Sequence, residues 1–246
     1  MVEEHAGLKW NQKGIDLIVQ SFEGKEPQEV LRWALKEFHP RVALASSFGA
    51  EDMVLIDMMC KINPAVRVFT LDTGRLHPET YDVMDKVREK YGIKIEVYYP
   101  QTHALENIVR EHGLDLFYKS VTLRHLCCQV RKVEPLNRAL SELDARITGL
   151  RRDQAPTRSS IRKVELDLEH NNIVKVNPLA EWTSDEVWGY IRLNSVPYNR
   201  LHDKGYPSIG CEPCTRPIKL GEDARTGRWW WEHSDKECGL HYSHRR

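Results

Sequence analysis

The chain has 246 residues, 41% hydrophobic and 29% charged, the ordinary balance of a globular protein with a buried core. Its 36 lysines and arginines equal its 36 aspartates and glutamates, so no overall positive field favours binding to nucleic acid. No apolar run approaches the roughly 18 residues that span a bilayer. The N-terminus also lacks the pattern of a secretory signal. We therefore expect a cytoplasmic protein that binds neither nucleic acid nor membrane.

The first 40 residues predict two amphipathic helices, near residues 11–21 and 27–38, without a cluster of reactive side chains. Strands and helices then alternate. Strands are expected at 42–45, 66–71, 94–99 and 145–149, and helices at 53–62, 78–91, 104–112 and 131–143. This alternation predicts an α/β fold on a doubly wound, mostly parallel sheet with ligands at the carboxyl ends of its strands. A β-hairpin over 164–176 and a helix capped by Thr183 follow, and from residue 197 we expect irregular structure.

The segment Ser46–Asp52 joins the first predicted strand to a helix. Such a loop presents backbone N–H groups and a helix N-terminus to an anion, although it lacks the Gly-Lys-Ser/Thr end of a Walker loop. Glu51 and Asp52 would repel a phosphate, so cations must come from elsewhere in the chain. The candidates are Lys132, Arg151, Arg152, Arg158, Arg225 and Arg228. Taken alone, the loop is a weak signal, because a Ser/Gly turn that opens a helix is more often just a capped helix start.

Four of the six cysteines occur in pairs, Cys127 with Cys128 and Cys211 with Cys214. In a cytoplasmic protein this placement favours a metal site over disulfides. Adjacent cysteines suit a [4Fe–4S] cluster, with four separate irons, better than one tetrahedral zinc ion. On spacing alone, zinc remains second and four buried thiols third.

Cys238 is the candidate nucleophile. It lies in a polar C-terminal stretch, after Lys236 and before His241, where neighbouring cations would favour the thiolate. An ordinary exposed thiol is the alternative. Cys60 ends an apolar helix and is expected to be a core thiol. If the pairs hold a cluster, a covalent intermediate on Cys238 would need an external dithiol to resolve it.

Seven motifs, in order, resemble those of the assimilatory adenylyl-sulfate (APS) reductases, thioredoxin-dependent relatives of the phosphoadenylyl-sulfate (PAPS) reductases. The resemblance runs from about residue 40 to the end of the chain. It rests on SSFGAED (46–52), LDTGRLHPETY (71–81), CCQVRKVEPL (127–136), TGLRRDQAPTRS (148–159), NPLAEWTSDEVWGYI (177–191), GYPSIGCEPCTRP (205–217) and GRWWWE with KECGLH (227–241).

The resemblance implies the adenine nucleotide α-hydrolase-like fold, with the loop at 46–52 as a modified pyrophosphate (PP) loop. The implied organisation is an N-terminal helical segment (1–40), a nucleotide-binding α/β domain with the iron–sulfur site (41–217), and a flexible C-terminal catalytic tail (218–246). The tail would carry substrate clamps and the nucleophile.

The resemblance also implies a role for each site residue. Cys238 would be catalytic, and one [4Fe–4S] cluster would be bound by Cys127, Cys128, Cys211 and Cys214. Substrate would be bound by Ser46, Ser47, Phe48, Gly49, Leu71, Asp72, Thr73, Gly74, Lys132, Arg158, Arg225, Arg228 and His241.

The implied reaction is reduction of APS to sulfite and AMP in assimilatory sulfate reduction, which serves cysteine biosynthesis, through a Cys238 S-sulfonate. Thioredoxin (or glutaredoxin) would be the reductant, and we expect a homo-oligomer. Three alternatives stay open: an enzyme that accepts PAPS alone or besides APS, an iron–sulfur PP-loop enzyme of transfer-RNA thiolation, and an iron–sulfur redox sensor.

Overall fold

The computed structural model describes residues 10–219 and 221–232. Helices α1 (Gln12–Phe22) and α2 (Pro27–Phe38) occupy the N-terminal segment, close to their predicted positions. The Asn11 side chain caps α1 by accepting a hydrogen bond from the Gly14 amide at 2.9 Å. Ile15 and Leu31 are fully buried in the main apolar core, so both helices pack onto the sheet unit.

Six strands form one sheet in the order β3-β2-β1-β4-β6-β5. Their bounds are β1 (Val42–Ala45), β2 (Arg67–Leu71), β3 (Ile95–Tyr98), β4 (Ala145–Ile147), β5 (Val164–Asp167) and β6 (Ile173–Val176). All neighbours are parallel except β5, which pairs antiparallel with β6 as the predicted hairpin. The chain order reverses between β1 and β4. In a doubly wound sheet such a switch point opens a crevice at the carboxyl ends of the strands.

The helices between the strands are α3 (Ala50–Ile62), α4 (Pro78–Tyr91), α5 (Thr102–His112), α6 (Val121–Cys128) and α7 (Glu134–Leu140), and α8 (Ser184–Leu193) follows the last strand. The Thr183 capping box predicted for α8 is present. The helix expected over 131–143 is present over 131–140, but the helical stretch begins ten residues earlier, at residue 121. A wide π-turn (Gln129–Val133) joins α6 to α7, and Pro135, which cannot donate a backbone hydrogen bond, lies in the first turn of α7.

The sheet core is closed on one face by α3, whose residues 52–59 are all buried. A second apolar cluster lies apart from it and contains Phe117, Trp229 and three of the paired cysteines. None of the helices in the described ranges is long and apolar enough to cross a membrane.

Candidate functional site: a switch-point cavity beside a cysteine cavity

A cavity of about 670 Å³ opens at the carboxyl ends of the strands, where the order reverses. The loops after β1 and β4 both line it, as the topology predicts. Nine of the predicted substrate-binding residues are in its wall: Ser46, Ser47, Gly49, Leu71, Thr73, Lys132, Arg158, Arg225 and Arg228.

The loop after β1 is held in shape by its own side chains. Ser46 Oγ accepts a hydrogen bond from the Phe48 amide at 3.1 Å, and Phe48 has a positive φ of 58°. Asp52 Oδ2 accepts from the Ser47 amide at 2.6 Å and from Ser47 Oγ at 2.9 Å. Phe48 is fully buried, so it shapes the loop from below instead of lining the cavity.

The start of α3 and the loop after β4 touch at Gly149. A Cβ there would lie 2.6 Å from Asp52 Oδ1 and 2.8 Å from Glu51 Cβ, so only glycine permits this approach. Burial raises the pKa of Asp52 to about 6, against the hydrogen bonds from Ser47. At neutral pH this carboxyl is still mostly ionised, and the Ser47 amide and hydroxyl donate to it, so its charge is directed at the loop.

Two of the arginines considered as anion ligands have other roles. Arg151 donates to Glu51 Oε1 at 2.9 Å and to Asp153 Oδ2 at 3.0 Å, so its charge is balanced by carboxylates. Arg152 does not line the cavity and donates to the Ile161 carbonyl at 2.7 Å. The two carboxylates at the end of the loop thus have different partners. Glu51 pairs with Arg151, whereas Asp52 accepts hydrogen bonds from Ser47 within the loop.

The segment after β2 turns sharply at Gly74, whose φ is +68°. Asp72 is buried, and its Oδ1 accepts from the Gly74 amide at 2.8 Å and from the Tyr81 hydroxyl at 2.9 Å. Leu71 and Thr73 line the cavity, whereas Asp72 and Gly74 do not. For those two, the structure shows a turn-forming role.

Arg228 reaches the cavity across a glycine. A Cβ on Gly210 would lie 2.3 Å from Arg228 Nη2, so the guanidinium occupies the space that a side chain would fill. Arg228 donates to Ser208 Oγ at 3.2 Å and stacks on the Trp229 ring at 4.7 Å. These contacts orient a buried cation toward the cavity.

A narrow second cavity is lined by all four paired cysteines, Cys127, Cys128, Cys211 and Cys214. The first pair ends α6, and the second flanks a short helical turn whose Cys214 carbonyl accepts from the Trp229 amide at 3.1 Å. Within residues 10–219 and 221–232, no three His, Cys, Asp or Glu side chains are placed to share one metal ion.

These thiols are surrounded by apolar and cationic side chains. Burial raises the pKa of Cys214 to about 12, and burial also raises that of Cys127, where Arg131 opposes the shift. Four cationic side chains complete the lining, namely Arg75, Arg124, Arg131 and Lys132. Asp115 and Glu232 already balance Arg75 and Arg124. Buried thiols beside Arg131 and Lys132 fit an anionic thiolate-bound iron–sulfur cluster.

The two cavities share a wall. Lys132, Cys211 and Trp229 line both of them. Thr73, from the nucleotide side, lies 3.3 Å from Cys211 Sγ through its hydroxyl oxygen. The cysteine cavity and the switch-point cavity are therefore parts of one site.

A buried ion pair joins the last described residue, Glu232, to helix α6. Arg124, one turn before Cys127 on α6, donates to both carboxylate oxygens of Glu232, at 2.9 and 2.8 Å. The side chains are only 1% and 3% exposed. Arg124 also stacks on Trp229 at 4.9 Å. The predicted nucleophile Cys238 and the predicted ligand His241 lie outside the described residues.

Sequence reasoning did not identify the residues that support the site. Arg124 lies outside the quoted motifs, and Glu232, Gly149 and Gly210 lie inside them without a predicted role. The available signals were a glycine that ends a predicted strand and another directly before the second cysteine pair.

The fold and the switch-point cavity place the chain among α/β proteins of the adenine nucleotide α-hydrolase-like class, as predicted. A solved structure of FMN adenylyltransferase from Candida glabrata has the same fold, with a TM-score of 0.56 at 12% identity, over 87% of this chain and 70% of that one.

A nearer solved structure is phosphoadenylyl-sulfate (PAPS) reductase from Candida auris in complex with phosphate. It is 34% identical, with a TM-score of 0.73, over 84% of this chain and 98% of that one. The model of the phosphoadenosine phosphosulfate reductase domain matches residues 41–217.

Curated relatives are more similar still. Adenosine 5'-phosphosulfate reductase of Burkholderia cepacia is 52% identical over 88% of this chain and 86% of the relative. The protein of that name from Pseudomonas aeruginosa (strain LESB58) is 50% identical over 91% and 85%. The chain belongs to the phosphoadenosine phosphosulfate reductase family, and the predicted resemblance is confirmed.

Proposed function

We propose that the protein reduces APS to sulfite and AMP with electrons from a dithiol protein. The observation that carries the proposal is the shared wall, through which a nucleotide-sized cavity with cationic side chains adjoins four cysteines. The two relatives above, both named adenosine 5'-phosphosulfate reductase, support APS as the substrate.

In the proposed binding mode, adenosine lies near Leu71 and Thr73, and the phosphosulfate lies at the loop after β1. Lys132, Arg158, Arg225 and Arg228 would contact the phosphosulfate oxygens. Arg158 donates to Gln154 Oε1 at 2.5 Å, and Gln154 donates to Glu51 at 3.0 Å, so this cation is oriented by the start of α3. These side chains would stabilise the charge that develops on the leaving phosphate.

The chemical step we propose is attack of the Cys238 thiolate on the sulfur of APS. The bond between that sulfur and the bridging oxygen breaks, AMP leaves with the electron pair, and an S-sulfonate forms on Cys238. A dithiol then supplies two electrons. One thiolate displaces sulfite from the Cys238 sulfur, and the second thiol returns Cys238 as a thiolate and closes a disulfide on the partner.

Cys127, Cys128, Cys211 and Cys214 would hold one [4Fe–4S] cluster. When bound, the cluster would supply charge and a rigid connection between the two cysteine pairs. It need not carry electrons, because the thiols already account for both of them. The residues around it position Lys132 and Trp229 in the wall of the switch-point cavity.

The direct test is Cys238→Ser assayed with APS and thioredoxin. We expect no S-sulfonate and no sulfite, while AMP still binds with the wild-type dissociation constant. Sulfite formation near the wild-type rate would refute the assignment of the nucleophile.

A PAPS-using enzyme is the second candidate, favoured by the 34% identity to the Candida auris PAPS reductase. A comparison of kcat/KM for APS and PAPS distinguishes the two. Comparable values would show an enzyme that accepts both nucleotides.

A further inference from the structure

A group of exposed aromatic and aliphatic side chains lies at the edge of the cysteine cavity. Tyr118 is 44% exposed and Trp230 is 48% exposed, and Leu114 and Val121, within four residues of Tyr118 in the chain, are more than 40% exposed. Together with Trp231, these residues are called the aromatic patch. Single exposed apolar residues are common, but a contiguous exposed group marks a surface that binds something.

The patch is rigid. The Tyr118 ring packs edge-on against Trp231 at 4.4 Å, and the rings of Trp230 and Trp231 lie at 90° with centroids 5.6 Å apart. The Tyr118 hydroxyl donates to the Pro213 carbonyl at 2.8 Å, which ties the patch to the turn between Cys211 and Cys214. Rigid aromatic surfaces lose little entropy on binding and are enriched in protein interfaces.

The position of the patch limits what can dock on it. Glu232 directly follows Trp231 and is fixed by its buried pair with Arg124. Cys238 is six residues further along, and six residues span at most about 22 Å. Any protein that reacts with Cys238 must therefore approach within one small-protein diameter of the patch.

We propose that the aromatic patch is the docking surface for the dithiol protein that reduces the Cys238 S-sulfonate, an inference that rests on the proposed function. The partner would present an apolar surface around its own reactive thiol. Its thiolate attacks the Cys238 sulfur and the bond to the sulfonate sulfur breaks. Sulfite leaves with that electron pair, and the partner's second thiol releases Cys238 and closes the disulfide.

The charges beside the patch support apolar recognition. Asp115, between Leu114 and the Tyr118 turn, is paired with Arg75 at 2.6 Å. Arg75 also lies over the Phe117 ring, at 5.5 Å from its centroid. With this carboxylate balanced, we expect docking to depend weakly on ionic strength.

The test separates docking from the earlier chemistry. Trp230→Ala removes the most exposed ring of the patch, and Val121→Glu places a charge where the first turn of α6 favours it. Leu193→Lys, on a leucine that is 85% exposed at the end of α8, is the control for a charge placed on an exposed apolar residue away from the patch. Each variant is assayed for S-sulfonate formation from APS alone, and then for sulfite release driven by thioredoxin or by dithiothreitol.

Both patch variants should form the S-sulfonate and release sulfite to dithiothreitol at wild-type rates. Their kcat/KM for thioredoxin should fall on the order of 10-fold, because truncating an aromatic interface residue has effects of that size. Leu193→Lys should match wild type in every assay. Equal losses with thioredoxin and dithiothreitol, or no loss with either, would overturn the docking proposal.

Failure of the proposed function would look different, since the wild type itself would then form no S-sulfonate.

The same variants also test two other occupants of the patch. A patch that binds a second copy would make the patch variants dissociate in light scattering, with thioredoxin kinetics unchanged. A patch covered by residues 233–246 would be revealed by faster dithiothreitol release in both variants. Either result would refute docking of the dithiol protein.

Discussion

Glu232→Gln removes the charge from one partner of the buried ion pair that lies six residues before the proposed nucleophile Cys238. The glutamine keeps the size of the side chain and one carbonyl oxygen, so the change is confined to charge and to one of the two hydrogen bonds. Because Arg124 and Glu232 are 1% and 3% exposed, water cannot replace the lost carboxylate.

The expected loss follows from this burial. Breaking a buried pair by removing one partner costs about 3–5 kcal/mol, because an uncompensated charge remains. Since glutamine retains one acceptor, we take about 3 kcal/mol. For a chain of this size, that corresponds to a fall in Tm of roughly 6–12 °C.

The control is Glu222→Gln. Glu222 also accepts two hydrogen bonds from one arginine, Arg216, at 3.0 and 3.3 Å. Both side chains are about a third exposed, at 33% and 29%. Water and salt screen such a pair, so the control should melt with the wild type. Thermal unfolding followed by circular dichroism compares the three proteins.

A functional effect should accompany the loss of stability. Misplacement of a reacting group by about 1 Å can lower a rate on the order of 100-fold. With Glu232 no longer held by Arg124, single-turnover S-sulfonation should slow 10- to 100-fold. AMP binding should change little. A Glu232→Gln protein that melts and reacts like Glu222→Gln would refute the role given to the buried pair.

Three further predictions concern the cavities. Cys211→Ser should abolish bound iron and the visible absorption of a cluster, whereas Cys60→Ser should keep both. Gly210→Ala should weaken AMP binding on the order of 10-fold by displacing Arg228; alanine for the α8 glycine, which has open space around it, should not. The pKa of Asp52 is about 6, against an ordinary value of 3.8, so the folded state binds this proton more tightly than the unfolded state does. The carboxyl therefore stabilises the fold at low pH. That contribution is lost as the pH rises from about 4 to 6. The free energy of urea unfolding of the wild type, relative to Asp52→Asn, should therefore fall by about 2 kcal/mol between pH 4 and pH 7. A difference that stays constant with pH would contradict the raised pKa.

The fold could be predicted because its signals are periodic and local. Alternating apolar strands and helices fixed the parallel sheet, and Thr183 and Glu186 marked the start of α8 to the residue. The region around residues 121–140 could not be predicted as well. A π-turn widens the helix by one residue per turn, and neither propensity nor apolar spacing signals it.

The candidate site divides in the same way. Reactive residue types stand out in a sequence, so the four paired cysteines and Arg158, Arg225 and Arg228 could be predicted as site residues, and they line the two adjoining cavities. Supporting residues do not. Gly149 and Gly210 matter because of what a Cβ would strike, and that depends on chain segments far away in sequence.

The shared wall suggests a physical role for the four paired cysteines in the proposed reaction. Trp229 is stacked between Arg124 and Arg228, so α6 and the clamp are joined by one ring. Arg124 also holds Glu232, and it lies one turn before Cys127. A cluster that fixes the end of α6 would thereby fix the clamp and the root of the tail together. Its contribution would be to hold the substrate-binding arginines and the nucleophile in fixed positions relative to each other. This role requires no electron to pass through the cluster.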